Sequence, residues 1–181
     1  MRLYELDNKA VQEIRAKWME TVSKAGAHRD VFEAEYTQLF ERIAVGGLGS
    51  LKECLNKEWF AAIRDDGGRC WALTEMVHTQ RGTARWVKLM DIYLAPEIEM
   101  APDTADNAQK RLEAFTSALT GVFELTKGIK GVDAVKVYGR TETLLTFLRG
   151  MHGALSGIMS MGTITGIDVS IEGRWLVFNA A

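Results

Sequence analysis

Apolar positions along this chain recur first with a helical period, then in alternation, then helically again, and each change marks a boundary between elements. Residues 2–6 alternate, which predicts a short first strand. Asp7 or Asn8 is placed to cap the helix that follows, because its side-chain oxygen accepts from free N–H groups of the first turn. That helix runs to about Lys24 on a stripe of Val11, Ile14, Trp18 and Val22, and Gly26 ends it. A second helix starts near Asp30 and carries Phe32, Tyr36, Leu39, Phe40 and Ile43 until Gly46 and Gly47 stop it. Residues 50–57 read as a further helical turn or two.

Period two then takes over. Residues 59–64 and 70–79 predict two strands, and Asp65-Asp66-Gly67-Gly68 between them is hairpin chemistry. Gln80-Arg81-Gly82-Thr83 makes a second turn. Residues 86–94 are apolar on both faces with few interruptions, the pattern of a strand in the middle of a sheet. A loop over 95–106 carries both prolines, Pro96 and Pro102. A long helix over 106–127 is expected to bury Leu112, Phe115, Leu119, Val122 and Phe123, with Gly128 and Gly131 closing it. Residues 132–138 predict a strand, and 141–149 a helix with Leu144, Leu145, Phe147 and Leu148 on its core face. The stretch 155–178 reads as two strands after a Gly-rich approach. Meandering strands set between helices predict an α+β fold, here over one domain spanning 1–181.

Composition narrows the function classes. With 47% apolar and 25% charged residues the chain has the mix of an ordinary globular protein. Its 22 basic and 24 acidic residues leave a net charge of −2, which gives no strong nucleic-acid signal but leaves room for a small local patch. Cys54 and Cys70 make no disulfide framework and read as free thiols. His28, His78 and His152 lie too far apart for zinc-ligand spacing. The N-terminus lacks an apolar run of signal-peptide length, and nowhere do about 18 apolar residues follow one another, so no membrane span is expected.

The order of elements is strand, helix, helix, three antiparallel strands, helix, strand, helix, two strands. Over nearly the whole chain this order resembles the GNAT N-acetyltransferases. The resemblance implies a mixed, splayed sheet of about seven strands with four main helices, and a V-shaped cleft where the fourth strand leaves the fifth. In that family acetyl-CoA lies in the cleft. Its pyrophosphate sits on backbone N–H groups of a Gln/Arg-x-x-Gly-x-Gly/Ala loop at a helix start, where free donors and a positive dipole end favour an anion. Here the corresponding residues, 95–107, contain no glycine and carry Glu97, Glu99, Asp103 and Asp106, while Pro96 and Pro102 remove two donors. Such a loop repels a diphosphate, and Asp103 or Asp106 reads better as the helix cap.

Active family members often carry Phe-Tyr-x-x-x-Gly-Phe in the last helix, where the Tyr protonates the departing thiolate. This chain has Phe147-Leu148-Arg149-Gly150, and Leu148 has no proton to give. The Asn that often follows the fifth strand is replaced by Gly139-Arg140-Thr141. Phe147-Leu148-Arg149, then Gly153-Ala154, then Trp175-Leu176-Val177-Phe178 are similar to the small GNAT-like internal virion proteins of short-tailed phages. That likeness implies a non-catalytic virion-associated or assembly component, placed in the virion or host cytoplasm. Its partners would be other virion or host proteins, or further copies of the chain. No cofactor is expected, and no residue is assigned as catalytic, cofactor-binding or metal-ligating. The alternative is an acetyl-CoA-dependent N-acetyltransferase with an atypical cofactor loop.

Several residues still carry candidate chemistry. Glu75, Asp91 and Tyr93 lie on strands that would border the cleft, and Asp91 is the one acid in an otherwise apolar central strand, where a general base could sit. Its bland counterpart is a hydrogen-bonded structural acid. Tyr138 could replace the missing acid, or simply pack as an aromatic. Arg81, Arg85 and Lys88 gather around Trp86 as a phosphate surface or a solvated hairpin tip. Gly150, Gly153, Gly157, Gly162 and Gly166 read as turns and bulges before the last strands. Met151, Met159 and Met161 read as core or contact residues, and Trp175 and Phe178 as a candidate partner surface.

Overall fold

The computed structural model describes all residues except 27–28, 52–54, 161–166 and 181. His28, Cys54, Met161, Gly162 and Gly166 therefore lie outside the described residues, as does the side chain of Met159. Seven strands form one sheet: β1 (Arg2–Glu5), β2 (Glu58–Arg64), β3 (Cys70–Arg81), β4 (Ala84–Leu94), β5 (Ala134–Tyr138), β6 (Ile167–Glu172) and β7 (Trp175–Ala180). They lie in the order β1-β2-β3-β4-β5-β7-β6, so β4 is central, as its apolar run predicts. All neighbours are antiparallel except β4 and β5, which run parallel. Helices α1 (Asn8–Val22), α2 (Arg29–Gly46) and a four-residue α3 (Pro96–Glu99) cover one face. Helices α4 (Ala105–Lys127) and α5 (Glu142–Ser160) cover the other.

Local chemistry accounts for the first half of the chain. Asp7 caps α1, accepting from the Ala10 N–H at 2.7 Å. Ile14, Trp18 and Val22 of α1 pack with Tyr36, Leu39, Phe40 and Ile43 of α2, with the Trp18 ring edge-on to Tyr36 at 5.3 Å. The β3–β4 turn is tighter than expected, because Arg81 pairs with Ala84 and only Gly82-Thr83 lie between, Gly82 at φ 62°. In the 50–57 stretch the described residues do not show the expected helical turns; Leu55 makes a parallel bridge to His78 instead.

Three other expectations are corrected. The loop 95–106 contains α3, which Pro96 starts at the position where a missing N–H costs nothing. Thr104, not Asp103 or Asp106, caps α4, its hydroxyl accepting from Asn107 N at 3.3 Å. Leu112 is exposed, and the buried face of α4 is Ala114, Phe115, Ala118, Leu119 and Val122.

The largest departure is α5, which continues through Gly150, Gly153 and Gly157 to Ser160 instead of breaking into turns. Leu144, Phe147, Met151 and Leu155 keep the helical stripe against the core, and that packing outweighs glycine's backbone entropy. The three glycines sit on the outer side, where an added Cβ would meet nothing within 4 Å. Gly153→Ala is therefore expected to stabilise the fold by about 0.5–1 kcal/mol, read as a higher urea midpoint at unchanged slope.

Candidate functional site

Two features of β4 create the site. The first is a register shift opposite Glu75 and Met76, which leaves Met90 as an extra residue between Leu89 and Asp91. Before it, Val87 and Leu89 face α4; after it, Ile92 and Leu94 take that side, and Tyr93 joins the core under α2. The bulge thus turns Asp91 and Tyr93 away from the α4 core, where a carboxylate would be costly. The second feature is the short pairing with β5, which covers only Trp86–Leu89 against Ala134–Val137. Beyond Leu89 the pairing stops, one residue before β5 ends at Tyr138, and β4 runs on to Leu94 unpaired on that side among the described residues; this gap, called the split below, lies where the GNAT resemblance implies a cleft.

At the split, residues from β2, β3, β4, α2 and the end of β5 meet. The Tyr93 hydroxyl donates to Glu75 Oε2 at 3.0 Å. It accepts from Arg42 Nη1 at 3.1 Å and from Arg140 Nη1 at 3.2 Å. Arg42 also pairs with Glu75 Oε1 at 2.7 Å and with Glu58 at 3.1 Å. Arg140 pairs with Asp91 Oδ2, and Asp91 Oδ1 accepts from Ile92 N at 2.9 Å. The result is a chain of charges, Glu58–Arg42–Glu75–Tyr93–Arg140–Asp91. Burial pushes the Tyr93 phenol up to about 12, with the charges of Asp91 and Glu75 adding to it. Burial opposes the charge of Arg42, but its hydrogen bonds to Glu75 and Glu58 hold its pKa above the usual range. The hydrogen bond to Asp91 does the same for Arg140.

Glu75, Asp91 and Tyr93 are thus brought together, and every oxygen of the three is engaged. Tyr138 is not part of this cluster: its ring packs on Trp175 at 4.8 Å between centroids. Arg42 escaped the sequence reading because it is one charge among many on the surface of α2. Arg140 stood in view only as the residue where the family's Asn is missing. It now proves to tie the end of β5 to β4 across the split. Arg174, in the turn between β6 and β7, holds that segment in place by donating to Gly139 O at 2.7 Å and Arg140 O at 3.0 Å.

The segment before α4 is held by a guanidinium of α4 itself. Arg111 donates to Ile98 O at 3.2 Å, Ala101 O at 3.0 Å and Asp103 Oδ1 at 2.5 Å. Carbonyls, not N–H groups, point at the charge. The N-terminus of α4 is closed by the Thr104 hydroxyl and flanked by Asp103 and Asp106. A groove of about 260 Å³ beside the split is lined by Glu35, Asp91 and Glu99 with Tyr36, Tyr93 and Arg140. It is smaller than the roughly 300–1,000 Å³ usual for ligand pockets, and its carboxylates oppose a diphosphate. Leu148 is fully buried in the core behind α5, and Phe147 beside it packs edge-on to Phe115 at 4.9 Å.

The remaining candidates separate. Arg85 turns toward the loop after α4, donating to Lys130 O at 3.2 Å, whereas Lys88 lies over Trp86 on the opposite face. Phe178 belongs to the core, edge-on to Phe123 at 5.0 Å, and so is not a partner surface; Trp175 is half-buried. Cys70 is buried, and burial pushes its thiol up to about 12. Among the described residues no helix is long and apolar enough to cross a membrane.

No protein family's sequence profile matches the chain, and no curated protein matches it. Similar solved structures include an acetyltransferase of the GNAT family from Staphylococcus aureus, at 8% identity, 98% coverage of each chain and a TM-score of 0.45. Two chimeras of the spermidine N-acetyltransferase SpeG from Vibrio cholerae and hSSAT are also similar. Their identities are 12% and 14%, they cover 99% of this chain and 92% and 93% of theirs, and their TM-scores are 0.38 and 0.40. These likenesses concern fold and say nothing of activity. By element order and strand order the chain has an α+β fold, a mixed seven-stranded sheet with four main helices, arranged as the resemblance to the GNAT family implies.

Proposed function

We propose that this chain is a GNAT-like scaffold without transferase chemistry, acting through protein–protein contacts as a bacteriophage virion-associated or assembly component. The observation that carries the first part is the Arg140–Asp91 pair across the split, backed by Arg42 on Glu75. Both carboxylates that could take a proton from a substrate amine already hold guanidinium groups. The acidic groove and the carbonyl-lined segment before α4 add to this. The phage assignment rests on the likeness of Phe147-Leu148-Arg149, Gly153-Ala154 and residues 175–178 to the short-tailed phage proteins.

Titration calorimetry with acetyl-CoA is expected to show no heat of binding at physiological concentration. A dissociation constant in the micromolar range, about −8 kcal/mol, overturns the non-catalytic reading. Mass spectrometry of purified phage particles is expected to find the chain among the virion proteins, and its absence from particles overturns the virion reading. One observation favours the alternative, an N-acetyltransferase with an atypical cofactor loop: two carboxylates and a phenol converge at the split. Acetyl transfer to an amine substrate, lost in Asp91→Asn, would establish it.

A further inference from the structure

On the face that α1 and α2 cover at one end, β4, β5 and β7 continue beyond those helices, and no helix among the described residues packs over them. The register places Trp86 and Lys88 of β4, Lys136 and Tyr138 of β5, and Trp175 of β7 together there. All five are half-buried. Lys88 Nζ stands 5.6 Å from the Trp86 ring centroid and 5.8 Å from that of Trp175, so two indoles flank one ammonium. Lys136 Nζ stands 5.1 Å from the Trp86 ring, and Tyr138 packs on Trp175. Cation and ring alternate across three strands. Arg81, exposed at the end of β3, shares this face by register. Of the cations, Lys136 pairs with Glu172 at the β6 side, where Asp168 also lies; Lys88 and Arg81 have no carboxylate partner among the described residues.

We infer that this sheet face binds single-stranded nucleic acid, with bases stacking on Trp86 and Trp175 and phosphates meeting Lys88, Lys136 and Arg81. The chemistry is complementary in both halves. Every base has a π-face that an indole can meet, and every linkage carries a charge that an ammonium can meet. Half-buried rings on strands are held rigid, so stacking costs little side-chain entropy. The lysines that now lie over the rings can swing to phosphate as a base takes their place. A duplex cannot use the face this way, because its bases are already stacked. The site is separate from the split and does not depend on whether the split is catalytic.

A fluorescence titration with a twelve-nucleotide oligothymidylate tests the assignment. At low salt we expect saturable quenching of tryptophan emission, with weaker binding of a DNA duplex of equal length. Three phosphate contacts give a log–log salt slope of about −2. Trp86→Ala and Trp175→Ala are each expected to weaken binding roughly tenfold, in the range that stacking on one base gives. Lys88→Ala, a surface change that leaves the core intact, is expected to make the slope less steep by about 0.7. Absence of saturable quenching overturns the inference. So does equal affinity for the duplex, unchanged binding in both tryptophan variants with native circular dichroism, or sedimentation as a dimer that buries Trp86.

Discussion

Arg42→Ala is expected to lower stability by about 3 kcal/mol, a fall of roughly 6–12 °C in Tm. Glu75 is only 7% exposed, and Arg42 supplies its one cationic partner among the described residues. Truncating the arginine leaves a buried carboxylate held by the Tyr93 hydroxyl alone, and a buried charge without its counter-ion costs far more than a surface pair is worth. The outer side of Arg42 reaches solvent, which keeps the figure at the low end. Adding Glu75→Gln to Arg42→Ala removes the orphaned charge and should restore more than half of the loss. Chemical denaturation of the two single variants and the double variant measures the coupling. A loss below about 1 kcal/mol in Arg42→Ala would mean that the pair behaves like an exposed salt bridge and that Glu75 is solvated.

Trp59→Ala should cost about 4 kcal/mol, the largest loss expected from one substitution outside the charged cluster. The indole is wholly buried in the core facing α4, and its Nε1–H donates to Gly49 O at 2.7 Å. That bond ties the segment after α2 to the sheet. Close by, Gly47 lies so near Phe60 that an added Cβ would stand 2.4 Å from the ring. Trp59→Phe keeps most of the volume but leaves the Gly49 carbonyl unpaired, and it should lose about 1–2 kcal/mol. Equal losses in the two variants would show that the hydrogen bond, not the volume, carries the effect.

How legible these features are in the sequence follows from how local their causes are. The cap at Asp7, the α1 stripe, the hairpin at 65–68 and the central place of β4 depend on residues a few positions apart, and periodicity displays them. The helix α5 carries the same signal, with Leu144, Leu148, Met151 and Leu155 on one side, but its glycines hide it because glycine is usually punctuation. The bulge at Met90 is hidden for the opposite reason. Simple alternation puts Asp91 on the α4 side, and only the count of residues on the partner strand reveals the extra one. The charged cluster is the least local of all. Arg42, Glu75 and Arg140 come from three distant segments, and nothing near any of them in sequence announces the others.

The strand order has a consequence for how the molecule is made. β7 lies between β5 and β6 although it follows both in the chain. As the polypeptide leaves the ribosome, the meander β1–β4 can close on itself from neighbours already released. β6 emerges with nowhere to dock, and β5 offers an open row of backbone groups on one side until β7 arrives. Synthesis that halts before Trp175 therefore yields a chain with two unpaired strand edges, the kind of surface that recruits chaperones and nucleates aggregates. Arrival of β7 completes this part of the sheet, so copies that stop short of it carry their own mark for removal.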